Sequence, residues 1–137
     1  MTRNDFRALA LARLREAKLL LANGEYSGAY YLGGYVIECA LKACIAKHTR
    51  RHEFPDRRRA EKSWKHELGE LVGAAELSPS LQADSKSDAR FRANWDVVKE
   101  WTAESRYSNW DQERAKELIR AISENRHGVL PWLKRHW

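Results

Sequence analysis

Glu25-Tyr26-Ser27-Gly28-Ala29-Tyr30-Tyr31-Leu32-Gly33-Gly34-Tyr35-Val36-Ile37-Glu38-Cys39-Ala40-Leu41-Lys42-Ala43-Cys44 is the stretch whose reading decides the fold. Its spacing predicts a helix, although two adjacent glycines, Gly33 and Gly34, fall in its middle. Each costs about 1 kcal/mol relative to alanine in an exposed helix interior. Close approach of another backbone is the usual reason for accepting that cost. Tyr31, Tyr35, Glu38 and Lys42 recur at i, i+4, i+7 and i+11 and share one face. A second face carries Ala29, Gly33, Ile37, Ala40 and Cys44, mostly small residues that would let a neighbouring helix come near. A helix with a small-residue seam and an aromatic-ionic stripe belongs in the middle of a bundle.

Working outward, Thr2-Arg3-Asn4-Asp5 offers a capping box, a threonine with an acid three residues on. Phe6, Ala10, Leu14, Ala17 and Leu21 then repeat at helical spacing, and Asn23-Gly24 supplies the stop. So short a turn predicts an antiparallel pair with the central helix, which should end near Lys47. A third helix is expected from Ser63, with Leu68, Leu71, Val72 and Ala75 on its apolar face and Ser78-Pro79-Ser80 as its breaker. A fourth, from Ser80 or Ser87 to Trp101, carries Phe91, Trp95 and Val98. Thr102 to Trp110 reads as a connection. A last helix restarts at Ser108 and Asp111, runs through Ala115, Leu118, Ile119 and Ile122, and stops at Gly128 before a tail held by Leu130, Trp132 and Leu133. No segment has the two-residue period of a strand. The expectation is one all-α domain over residues 1–137, an up-and-down bundle of four to five helices with an exposed basic loop at about 48–63.

Composition excludes several classes of protein. Hydrophobic residues make up 43% and charged residues 32% of 137, which suits a globular chain rather than a disordered one. No apolar run approaches the roughly 18 residues a membrane span needs, and the N-terminus has no signal-like hydrophobic stretch, which predicts a cytoplasmic protein with no membrane partner. Cys39 and Cys44 point in different directions from one helix, so buried free thiols are expected. The net charge of +6 is concentrated: Lys47 to His66 holds eight basic against three acidic residues, while the rest holds 17 against 16. Attraction for polyanions therefore gathers in one segment. The sequence contains no phosphate-cradling glycine loop, Gly-x-Ser-x-Gly elbow, Cys-x-x-Cys or His-Glu-x-x-His. His48 and His52 lack further ligand-like neighbours, so neither a metal nor another cofactor is expected.

Three motifs in order carry a resemblance. Gly24-Glu25-Tyr26-x-x-Ala29-x-Tyr31-x-x-Gly34-Tyr35-x-x-Glu38-x-Ala40-Leu41-Lys42-Ala43 opens the second helix, His66-Glu67-Leu68-x-x-Leu71 the third, and Ser105-Arg106-Tyr107 follows the fourth. Together, from about Asp5 to Ile122, they resemble the HEPN family, the domain of higher eukaryotes and prokaryotes. The resemblance implies a helical bundle that homodimerises, and a place beside a nucleotidyltransferase or other antitoxin partner in toxin-antitoxin or defence systems. It also implies RNA or nucleotide ligands and, for many members, metal-independent RNA cleavage. The family's nuclease signature is an arginine followed four to six residues later by a histidine, two such pairs meeting across the dimer. Arg120 and His127 have six residues between them. On a helical wheel both fall about 140° or more from the centre of the Leu118, Ile119 and Ile122 stripe, on the side of Glu113, Lys116 and Glu124. Arg106 is followed at that spacing by Asp111, Gln112 and Glu113 instead of a histidine.

The residues themselves suggest a site. Glu38 and Lys42 form either a simple helix pair worth about 0.2–0.5 kcal/mol or part of an interior cluster in which Glu38 meets Arg106 or His66. His66 has the side chain for a general base and Arg106 the charge for a developing phosphate anion. They are the first candidate catalytic pair, and Arg120 with His127 is the alternative. Tyr107 either stacks on a base or caps the core. Arg57, Arg58 and Arg59, with Phe54 and Trp64 nearby, are candidates for tracking a nucleic-acid backbone. Trp95, Trp101, Trp110 and Trp132 read as core or dimer contacts. Two functions follow: a module that binds or cleaves RNA, or a non-catalytic module that binds a nucleotide or a nucleotidyltransferase.

Overall fold

The computed structural model describes residues 1–49 and 67–137. These form seven helices and one 3-10 turn, with no strand among the described residues. We label the helices α1 (Arg3–Ala22), α2 (Tyr26–Lys47), α3 (Leu68–Ala74), α4 (Ser78–Ser87), α5 (Ala89–Lys99), α6 (Gln112–Ser123) and α7 (Val129–Lys134). The 3-10 turn spans Ala103–Tyr107 between α5 and α6.

The N-terminal pair forms as its caps dictate. Thr2 and Asp5 make the reciprocal capping box, and Gly24 adopts φ 79°, the left-handed conformation glycine takes without strain. From there α2 runs through the centre of the protein, touching α1, α3, the 3-10 turn, α6 and α7. Twelve of its 22 residues are buried, the whole small face among them. A Cβ built on Gly33 would lie 3.0 Å from Ile119 and 3.3 Å from Leu118, so this glycine is where α6 comes against α2. The core is continuous across the helices and includes Leu41, Leu71, Val98, Leu118, Ile122 and Leu133, along with Trp95, Trp101 and Trp132.

Four boundaries differ from the sequence expectation, each for a local reason. Ser78-Pro79-Ser80 starts α4 instead of merely ending a helix, because proline in the first turn gives up only an N–H that has no intrahelical partner. The preceding helix has already ended at Ala74, and the chain turns at Glu76 with φ 60°. Of the two starts expected for the fourth helix, Ser80 belongs to a separate helix and the one at Ser87 is near the observed start, since Asp88 closes α4 and its carboxylate accepts from the amides of Arg90 and Phe91 to open α5. At the end of the chain α6 stops at Ser123, and Gly128 caps the start of α7, so the expected tail is a helix that buries Leu130, Trp132 and Leu133. The expected start of the third helix at Ser63, and most of the basic loop, lie outside the described residues.

Candidate functional site

The site begins with α2. Helical spacing stacks Tyr31 and Tyr35 one turn apart, and the Tyr31 hydroxyl donates to that of Tyr35 at 3.1 Å. Further along the same face, Glu38 is buried to 4% exposure, with the Lys42 Nζ 3.6 Å from its Oε2. Lys42 is thus one partner of a carboxylate that could not be buried uncompensated.

Opposite this stripe lies the turn Ala103–Tyr107, held by tryptophans at both ends. Trp101 packs edge-on to Tyr35, with ring centroids 5.1 Å apart, and tilts over Tyr31 at 6.4 Å. Its indole occupies the notch left by Gly34: a Cβ there would fall 1.9 Å from two ring carbons. The glycine expected to admit a backbone therefore admits a side chain. Beyond the turn, Trp110 stacks on Tyr30 at 3.8 Å, its Nε1 donates to the Ser105 carbonyl, and its amide donates to Ser27 Oγ. Two polar atoms in this packing, Trp101 Nε1 and Ser105 Oγ, are buried without a hydrogen-bond partner. Each such group costs about 1–3 kcal/mol.

The turn delivers Arg106 and Tyr107 to the surface. Arg106 is exposed, and its guanidinium carbon sits 4.8 Å from the centre of the Tyr107 ring, a cation–π arrangement. The hydroxyls of Tyr31 and then Tyr107 push the Arg106 pKa up. Burial, followed by the bond from Tyr31, raises that of Tyr35, which stays a neutral phenol. Among the described residues no carboxylate pairs with Arg106. Of the two interior partners expected for Glu38, Arg106 does not pair with it, and His66 lies outside the described residues. Tyr107 is 74% exposed, which rules out its reading as a core cap.

The alternative pair is placed differently. His127 is not on α6 but in the turn after it, where its Nδ1 lies 2.7 Å from Asp88 Oδ2 and its carbonyl accepts from Asn94. Asn94 also donates to Glu124, which meets Arg90 at 2.9 Å. Arg120 is exposed on α6. Sequence reasoning missed Asp88 and Asn94 as partners of His127. The only signal available was an aspartate poised to cap α5, which says nothing of a histidine 39 residues away. His66 and Arg57, Arg58 and Arg59 lie outside the described residues.

Neither cavity of note involves these groups. The larger, of about 430 Å³, lies among α3, α4 and α5 around Val72, Leu81 and Trp95; a second, of about 200 Å³, is bordered by Tyr30, Glu100 and Arg114. Among the described residues no three His, Cys, Asp or Glu side chains are grouped to hold a metal ion, and no helix is long and apolar enough to cross a membrane. Both cysteines are free, and burial pushes each thiol up to about 11.

Fold and site together define a small helical-bundle module whose candidate site is an open polar face rather than an enclosed cleft. The family model of the HEPN domain matches residues 4–135, and the chain belongs to the HEPN family. No curated protein and no solved structure matches it.

Proposed function

We propose that the chain, read as one HEPN domain, is an RNA-binding module that engages phosphate through the face formed by Arg106, Tyr31, Tyr35 and Tyr107. One observation carries this reading. Arg106 is exposed, lies over the Tyr107 ring and has no carboxylate partner among the described residues, so its charge is available to an anion. An open face suits a polyanionic chain laid across it, and the basic segment Lys47 to His66 adds an attraction that is independent of sequence. By family resemblance the module works as a homodimer in a toxin-antitoxin or defence system, with a nucleotidyltransferase or other antitoxin as partner.

A second reading, metal-independent RNA cleavage, is favoured by the Asp88–His127 bond. A carboxylate on Nδ1 fixes the tautomer and leaves Nε2 for proton transfer, the arrangement a general base requires. His66 with Arg106 remains the first proposed catalytic pair and Arg120 with His127 the alternative. Glu38 and Lys42 support the first.

Incubation with structured RNA in the presence of a chelator tests both readings. Retarded RNA with no cleavage, weakened by Arg106→Ala, supports the binding module. Cleavage lost in His66→Ala or Arg106→Ala assigns the first pair, and cleavage lost in His127→Ala alone assigns the alternative. An absence of any RNA binding overturns the proposal, and a thermal shift with free nucleotide in that case supports the nucleotide-binding alternative.

A further inference from the structure

The aromatic ring beside Arg106 is unusual for its exposure. Tyr30, Tyr31 and Tyr35 are buried or half-buried against tryptophans, whereas Tyr107 is 74% exposed. One face of its ring carries the Arg106 guanidinium, and no other ring contacts it among the described residues. The turn that presents it is fixed from both sides, by Trp101 in the Gly34 notch and by Trp110 bonded to the Ser105 carbonyl. A rigidly mounted aromatic ring with one cation-covered face and one bare face has the form of a stacking platform. Bases stack on such rings irrespective of sequence, because every base has a π-face. Only an unpaired base can reach it, since a duplex holds both faces of each base inside its own stack.

We propose that Tyr107 is the specificity-determining residue of this face: its free side stacks an unpaired base while Arg106, on its other side, holds the adjoining phosphate. This rests on the RNA-binding reading and adds to it a preference for single strands. The guanidinium on the far face helps by drawing electron density from the phenol ring and by holding the ring's orientation. Arg106, the group that meets the phosphate, stays charged around neutrality, because its pKa is pushed up.

The test uses the full chain with two fluorescent RNAs of equal length, one an unstructured single strand carrying a 2-aminopurine reporter and one a perfect duplex. The expected results are tighter binding of the single strand, quenching of the reporter on binding, and a loss of about 5- to 100-fold in single-strand affinity in Tyr107→Leu that clearly exceeds its loss of duplex affinity. Tyr107→Trp should restore both affinity and quenching. If Tyr107→Leu weakens neither RNA, or weakens both alike, the stacking role is overturned while RNA binding stands. If the unaltered chain binds neither RNA, the underlying reading fails instead. Because Tyr107 projects into solvent, its replacement leaves folding intact, which a thermal melt of each variant checks.

Discussion

The indole of Trp101 fills the notch that Gly34 leaves on α2, with ring atoms where a Cβ would stand only 1.9 Å away. This contact joins the central helix to the turn that bears Arg106. Gly34→Ala gains about 1 kcal/mol of helix propensity, but the methyl group must displace a buried ring and the overpacking costs about 1–3 kcal/mol or more. The expected outcome is a net loss of stability in chemical denaturation together with weaker RNA binding. Gly73, whose Cβ would meet nothing within 4 Å, is the control, and Gly73→Ala should stabilise by about 0.4–1 kcal/mol.

Ser105 carries a buried hydroxyl with no partner. Removing an unsatisfied polar atom avoids its desolvation cost, so Ser105→Ala should leave the melting temperature unchanged or raise it. A marked fall would mean that the hydroxyl is satisfied in solution, for instance by a trapped water.

Asp88 links the α4–α5 junction to the turn after α6. Its carboxyl is held below the usual range, first by the bond to His127 and then by the Phe91 amide. Because the folded value is the lower one, this contribution is fully present above the unfolded value of about 3.9 and is lost as pH falls through the folded value. Denaturation midpoints measured between pH 6 and 2 should therefore decline on the acid side. Asp88→Asn should be less stable at pH 6 and show a shallower decline, and an identical slope would remove Asp88 as a source.

Arg106 should contribute to the salt dependence of RNA binding. Neutralising one phosphate of a single strand changes the slope of log affinity against log salt by about 0.7. Arg106→Ala should flatten that slope by about this amount, measured by anisotropy over a salt series. An unchanged slope would place the phosphate elsewhere.

The two thiols offer a check on packing. Cys44 is fully buried and Cys39 half-buried, and burial pushes both up to about 11. Thiolate is therefore scarce at neutral pH, and a thiol-specific reagent should label the native chain slowly and the denatured chain at once.

Much of the architecture was legible because it depends on residues close together in the chain. The Thr2–Asp5 capping box, the Gly24 stop, and the apolar stripes Leu68-Leu71-Val72-Ala75 and Ala115-Leu118-Ile119-Ile122 needed only helical periodicity, and all of those stripe residues are buried. The same local reading misjudged Pro79, because a proline that breaks one helix also suits the first turn of the next. It placed His127 on a helix that in fact ends at Ser123, since a wheel projected past the last hydrogen-bonded turn assigns faces that do not exist.

By itself the sequence determined an all-helical chain of the HEPN family, a central helix with one packing face and one polar stripe, and the core positions, because these are set by spacing within single helices. Tertiary structure alone decided what each polar group meets. Trp101 enters the Gly34 notch, Arg106 lies over Tyr107 and not against Glu38, Tyr107 stands in solvent, and Asp88 takes His127. The Trp101–Gly34 and Asp88–His127 pairings join segments far apart in the chain. Their partners are chosen by how the helices cross, which no periodicity within one helix encodes.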